Sequence, residues 1–379
     1  MSEPIEKFLV HVSDAILDDL HDRLARTRFP DQIEGTGWEY GIPVAYLRDL
    51  VGYWRDTYDW RTEEARLNQF EHFRTRIDGQ SIHFIHARSP HADAFPLLIT
   101  HGWPGSVVEL LDAIPRLTDP EAYGGRATDA FHVIAPSLPG YGLSEPPRTP
   151  GWDVQRIAEA FAELMGAVGY SRYGAQGGDW GAQVTTRIGA LDPRHCAAIH
   201  LNMPIGTPPD PARPLSDEEQ ADLAAVQEFI RDESAYAAEQ GTKPQTVGAA
   251  LNDSPSGLLA WIVEKFRAWS DCDGNPESCF TRDQLITNVM LYWATETSAS
   301  SARLYWETRH SVNGAQAFVS VPTGVARYPK EVLRWPRSWV EHNYNVTRWA
   351  VMPRGGHFAA MEQPALFAED LREFFRTVR

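Results

Sequence analysis

Cysteine is scarce in this 379-residue chain: Cys196, Cys272 and Cys279 are the three present, and no two form a C-x-x-C pair. An odd number with this spacing gives neither a disulfide framework nor a structural zinc site, and it fits a reducing compartment. Positive charge is also short, with Lys+Arg 35 against Asp+Glu 51 and a formal net charge of −16. Such a field repels phosphate backbones, and no Lys/Arg run offsets it, so a nucleic-acid partner is excluded. An unbroken apolar stretch of about 18 residues, the length a membrane helix needs, is missing. Acidic Glu3 and Glu6 stand where a secretory leader would be basic. A cytoplasmic globular protein is expected. A chain of this length can bury about 75% of its unfolded surface without disulfide or metal. One domain per about 150 residues suggests two or three domains, or one large α/β domain with an insertion.

Periodicity then divides the chain. Phe8, Val12, Ile16, Leu20 and Leu24 recur at four-residue spacing, which predicts an amphipathic helix. The aromatic-rich region through Tyr53, Trp54, Tyr58, Trp60 and Phe70 reads as helices and meander lying on a neighbouring core, giving a segment 1–70. From His72 to Arg88 the residues alternate about Asp78-Gly79, a hairpin signal. Short apolar runs then alternate with helical stretches. The predicted strands are Phe95–Thr100, Phe131–Ala135, Ser171–Gln176, Cys196–Leu201, Ala317–Val321 and Asn345–Met352. The helices between them are predicted to start at Ser106, Asp153, Trp180 and near Pro336, with a closing helix Pro364–Val378. Strand–helix units in this rhythm predict an α/β fold, a mostly parallel sheet flanked by helices. The sheet is interrupted by an Ala/Glu/Leu-rich helical stretch read as a lid over 203–300, leaving core segments 71–202 and 301–379.

The sharpest chemical signal is Gly177-Gly178-Asp179-Trp180-Gly181, between a predicted strand and a predicted helix. Paired glycines in that context allow the tight turn that lifts a nucleophile above a sheet. The apex is Asp179 rather than serine, and G-x-S-x-G occurs nowhere in the chain. A carboxylate at this position attacks an electrophilic sp³ carbon and becomes an ester. The bland alternative is a glycine-rich turn with a helix-capping Asp. His101-Gly-Trp-Pro-Gly-Ser106 follows the strand ending at Thr100, which suits the second half of an oxyanion hole. The backbone N–H groups of Trp103 and Trp180 are then the expected donors, and His101 is read as a brace for the loop. His357, in a glycine loop after the last strand, is the expected general base, because imidazole titrates near neutrality. Glu331, the first carboxylate after the strand Ala317–Val321, is its expected acid partner, and Glu341 is read as a surface charge on a helix. If the electrophile is an epoxide, its oxygen needs a proton as the C–O bond breaks, and a phenol with pKa about 10 can donate one. Thirteen tyrosines are available, and spacing alone does not choose between Tyr236, Tyr305 and the others.

Taken together these runs resemble the microsomal epoxide hydrolase family of α/β-hydrolases. The resemblance is carried by His101–Ser106, by Pro136-Ser-Leu-Pro-Gly-Tyr-Gly-Leu-Ser144 and by Gly174-Ala-Gln-Gly-Gly-Asp-Trp-Gly181. Thr242-Lys-Pro-Gln-Thr-Val-Gly, Ala250–Gly257 and Arg354-Gly-Gly-His-Phe-Ala-Ala-Met-Glu-Gln-Pro364 add to it. It implies an α/β-hydrolase fold with a helical lid and an N-terminal segment wrapping core and lid. It implies Asp179 as nucleophile, Glu331 with His357 as charge relay, and Tyr236 and Tyr305 as the tyrosines that polarise the epoxide. The implied substrates are an epoxide, of aryl or vinyl type, and water; the product is a vicinal diol, with no cofactor and no metal. Mammalian members carry an N-terminal membrane helix, whereas this chain begins almost at the wrapping segment, so no membrane anchor is expected. The composition, rich in Arg and Ala and poor in Lys, suits a high-GC bacterium. There the resemblance implies a role in natural-product pathways, enediyne-type among them, or in detoxification, and a homodimer as the assembly considered. Two rivals are a haloalkane dehalogenase, which also uses an Asp nucleophile, and a non-catalytic protein binding an apolar ligand beneath its lid. Lid aromatics Trp261, Phe266, Trp269 and Trp293 are candidates for the pocket wall, although such residues more often form core.

Overall fold

In the computed structural model, which describes residues 3–313 and 317–379, alternation and its punctuation build the sheet. Met1 and Ser2 of the acidic N-terminus lie outside the described residues. Asp78 and Gly79 both take positive φ, 50° and 75°. That is the backbone a two-residue hairpin needs, and it joins β2 (His72–Ile77) to β3 (Gln80–Ala87). A short β1 (Glu6–Phe8) adds antiparallel to β2. The remaining strands are β4 (Phe95–Thr100), β5 (Phe131–Pro136), β6 (Tyr173–Gly177), β7 (Cys196–Leu201), β8 (Val319–Arg327) and β9 (Tyr344–Val351). The order is β1-β2-β3-β5-β4-β6-β7-β8-β9, antiparallel as far as the β3–β5 pair and parallel beyond it.

Both faces of this sheet are covered, as the near-continuous apolar strands require. Leu97, Leu98 and Ile99 on β4 and Val133, Ile134 and Ala135 on β5 are fully buried. On β7, His200 Nε2 donates at 2.9 Å to Asp370 of the helix Pro364–Phe375. Its neighbour Ile199 packs on Gly189 of the helix Asp179–Leu191. Successive strand residues point to opposite faces, so these two helices lie on opposite sides of the sheet.

Three elements differ from expectation. Phe8 is in a strand and the first helix starts only at Asp14. The chain between them is extended, because the N–H groups of Val10 and Val12 donate to the side chains of Asn68 (3.0 Å) and Glu64 (2.7 Å). The run from Ser106 makes a short 3₁₀ turn, Val107–Leu110, and a helix Ile114–Thr118 rather than one long helix. Strand β8 runs through Pro322 to Arg327, well beyond Val321; the register shifts between Val319 and Pro322, so the proline sits at an irregularity.

Among the described residues, six α-helices lie between β7 and β8: Asp217–Asp232, Ala235–Gln240, Pro244–Asp253, Pro255–Trp269, Arg282–Ala294 and Ser298–Arg309. The helical layer therefore continues past residue 300 and carries Tyr305 with it. The N-terminal helices Val44–Asp56 and Trp60–Leu67, with the loop between them, are tied to this layer. Tyr53 donates to Asp283 at 2.8 Å, Tyr58 bonds Thr287 at 3.0 Å, and Asp49 pairs with Arg282 at 2.6 Å. Among the described residues no helix is long and apolar enough to cross a membrane.

Candidate active site

Asp179 stands at the end of β6 as the first residue of the helix Asp179–Leu191, with φ 50°. A left-handed backbone at a non-glycine residue is strained, and such strain clusters at functional sites. The turn is possible because its neighbours lack side chains. A Cβ on Gly181 would lie 1.9 Å from the Thr100 carbonyl oxygen, so only glycine lets the helix start this close to β4. A Cβ on Gly102 would lie 2.2 Å from Asp179 Oδ1, so glycine also lets the loop after β4 close over the carboxylate. There the Trp103 N–H donates to Asp179 Oδ1 at 2.8 Å. Trp180, next in the chain, lies in the first helical turn, where N–H groups have no intrahelical acceptor.

His101 braces this loop. Its Nε2 accepts from the Leu138 N–H at 3.2 Å, which leaves Nδ1 as the donor to the Gly102 carbonyl at 3.0 Å. Burial pushes its imidazole down to about 4, so it is neutral.

Opposite the elbow, His357 bridges two carboxylates. Its Nδ1 is 2.6 Å from Glu331 Oε1 and its Nε2 is 3.3 Å from Asp179 Oδ2. Burial opposes a charged imidazole here, but the Glu331 carboxylate and the contact with Asp179 outweigh it. The histidine is held well above its ordinary value. Glu331 also accepts from the Val332 N–H at 2.8 Å, which fixes the oxygen that faces the ring. Glu341, by contrast, pairs at 2.7 Å with Arg337 on the exposed helix Arg337–Asn343, as a surface charge.

Above the loop the helical layer supplies an aromatic wall. The Tyr236 ring stacks on Trp103 with centroids 4.8 Å apart and planes 9° apart. Tyr305 stands edge-on to Trp180 at 4.7 Å and to Tyr236 at 5.9 Å. Its hydroxyl is buried without a hydrogen-bond partner. Burial, with the nearby Asp179 charge, raises both phenols above their ordinary value, so both stay protonated. All seven residues singled out in the sequence thus meet in one place.

The structure adds residues that sequence reasoning missed or left undecided. Of the four lid aromatics, Trp269 makes ring contacts with this cluster, 5.1 Å to His357 and 5.1 Å to Tyr236. Phe266 instead stacks on Phe358 at 4.0 Å. Glu362 clamps the histidine loop, accepting from the N–H groups of Gly356 (3.0 Å), Phe358 (3.0 Å) and Asp271 (2.9 Å). Burial pushes its carboxyl up to about 7 against those donors. Asn288 holds the other loop through Ser106 Oγ (2.7 Å) and the Pro104 carbonyl (2.8 Å). Glu109 lines a small cavity beside Asp179 and His357. No spacing rule separates these buried polar groups from surface ones. Among the described residues no cluster of three or more His, Cys, Asp or Glu is arranged to hold a metal ion.

A mostly parallel sheet, an acidic elbow at the end of a central strand and a histidine loop after the last strand define an α/β-hydrolase. The alpha/beta hydrolase fold family matches residues 96–324, and the epoxide hydrolase N terminus family matches residues 5–110. Epoxide hydrolase 1 of Sus scrofa is 40% identical across 98% of this chain and 88% of the pig protein. The crystal structure of juvenile hormone epoxide hydrolase from the silkworm Bombyx mori matches with a TM-score of 0.91 at 34% identity, covering 99% of this chain and 95% of that one. The Aspergillus niger epoxide hydrolase structure matches with a TM-score of 0.89 at 33% identity, covering 100% and 97%. The chain belongs to the epoxide hydrolase family, in the microsomal-type branch its motifs resemble, and it is an epoxide hydrolase.

Proposed function

We propose that the enzyme opens an aryl or vinyl epoxide to a vicinal diol in two steps, through an ester on Asp179. The observation that carries this reading is the pairing of a strained carboxylate with two buried, protonated phenols above it, one of them unpartnered. In the first step an Asp179 oxygen attacks an epoxide carbon and the C–O bond breaks. The departing oxygen takes a proton from Tyr236 or Tyr305. A buried donor left without a partner is costly, and a substrate oxygen satisfies it. The aromatic faces of Trp103, Tyr236 and Trp269 suit a planar substituent on the epoxide.

Alkylation removes the negative charge of Asp179, one of the two charges that hold the proton on His357. The ester therefore lowers the basicity of His357, which gives up its proton to bulk water and becomes a general base, with Glu331 stabilising the imidazolium that forms again on attack. Water attacks the Asp179 ester carbon and His357 takes its proton. The N–H groups of Trp103 and Trp180 stabilise the tetrahedral oxyanion. Collapse breaks the bond to the diol oxygen, which takes the proton from His357. The proton lost as Asp179 returns to carboxylate restores the tyrosine.

A haloalkane dehalogenase would share the nucleophile, but a halide leaves without a proton, so two phenols would have nothing to do. A non-catalytic binder would have no need of the Asp179–His357–Glu331 alignment. The test is conversion of styrene oxide to its diol by folded wild-type and Asp179→Ala protein. The variant is expected to form no diol above background, and retained turnover would end the nucleophile assignment.

A further inference from the structure

Beside Asp179 and His357 lies a cavity of about 20 Å³ that neither Tyr236 nor Tyr305 lines. It is too small for any epoxide and large enough for one water, which needs roughly 10–15 Å³ and two to four polar partners. Its walls supply them. Thr100 and Glu109 line it together with Asp179 and His357. Thr100 is 1% exposed and its hydroxyl has no hydrogen-bond partner. The Glu109 carboxyl lies against the backbone of Gly105, where a Cβ would come within 1.5 Å of Glu109 Oε1. The glycine after Pro104 is thus what makes room for this acid.

We propose that Glu109 and Thr100 hold the hydrolytic water in this cavity, between His357 and the Asp179 ester carbon. The proposal rests on the two-step reading above and adds where the second reactant waits. When His357 removes one proton, the attacking oxygen keeps the other and needs an acceptor for it. The Glu109 carbonyl oxygen and the Thr100 hydroxyl are that acceptor pair. A neutral acid suits the place, because a charged one would oppose the oxyanion forming on Asp179. Burial pushes the Glu109 carboxyl up to about 8, which keeps it protonated at neutral pH.

The test separates the two chemical steps by mixing enzyme with styrene oxide in rapid-quench experiments and following the ester by intact mass. Glu109→Leu removes the acceptor and is expected to slow ester hydrolysis by about tenfold or more, the worth of one lost hydrogen bond, while alkylation keeps its rate. Glu109→Gln, an isostere of the neutral acid, is expected to restore hydrolysis to near wild-type. Thr100→Val keeps the shape of Thr100 and is expected to slow hydrolysis selectively too, which keeps the test open if Glu109→Leu does not fold. Equal loss of both steps in the variants, or hydrolysis at the wild-type rate, would overturn the water site. If His357→Gln forms no ester at all, the Asp179 reading itself fails, and that result is distinct from either.

Discussion

Replacing Glu331 by Gln isolates the charge behind His357 from the shape of the site. Glu331 Oε1 accepts from His357 Nδ1 at 2.6 Å and from the Val332 N–H at 2.8 Å, and an amide oxygen can keep both bonds. What disappears is the negative charge that stabilises the imidazolium. The lower bound is the difference between a charge-assisted and a neutral hydrogen bond, about 1.5 kcal/mol. The upper bound is the attraction of two unit charges about 4 Å apart at an effective dielectric of about 20, roughly 4 kcal/mol. Hydrolysis of the ester should therefore slow by roughly 10- to 1,000-fold. Alkylation, which forms no imidazolium, should stay within about threefold. The other carboxylate oxygen, Glu331 Oε2, is buried without a partner, so the amide NH₂ placed there would be an unpaired donor. That costs about 1–3 kcal/mol of stability and is read independently as a lower Tm. Stopped-flow fluorescence is the assay, since Trp103, Trp180 and Trp269 surround the reacting groups. Equal slowing of both phases, or no slowing of the second, would refute this reasoning.

Other consequences are as direct. Tyr236→Phe with Tyr305→Phe should slow alkylation by about 10²–10⁴-fold, the usual contribution of a general acid, and leave hydrolysis of a preformed ester unchanged. The raised proton affinity of His357 has a thermodynamic counterpart. A group whose folded pKa is raised lends stability that is complete below its unfolded pKa, about 6.5, and lost as pH rises through the folded value. Wild-type Tm should therefore fall as pH is raised from about 6.5 through the alkaline range, and His357→Gln should flatten this part of the profile in calorimetry. Gly181→Ala should destabilise the fold by at least about 1–3 kcal/mol, the usual cost of overpacking, since its Cβ would meet the Thr100 carbonyl at 1.9 Å; a denaturant titration measures it.

The elbow was legible because its requirement is local: glycines on each side of Asp179, after an apolar run and before a helix. The order along the chain of Asp179, Glu331 and His357 was legible for a similar reason, since loops after successive parallel strands emerge at one edge of the sheet. Tyr236 and Tyr305 were not, because they reach the site from separate helices whose packing no short-range pattern encodes; only resemblance chose them. Glu109 and Glu362 were invisible, since a buried acid held by backbone N–H groups or against a glycine looks in sequence like a solvated one. Val12 misled the helix reading because its four-residue relation to Phe8 and Ile16 coincides with extended alternation, and the bonds of the Val10 and Val12 N–H groups to Asn68 and Glu64 selected the latter.

The two-step reaction turns on a covalent bond between Asp179 and the opened epoxide. Intact-protein mass spectrometry of the His357→Gln variant incubated with styrene oxide tests it most directly. The prediction is a mass gain of one epoxide that persists and maps to the peptide containing Asp179. A folded variant that shows no adduct, or one that maps to another residue, would contradict it.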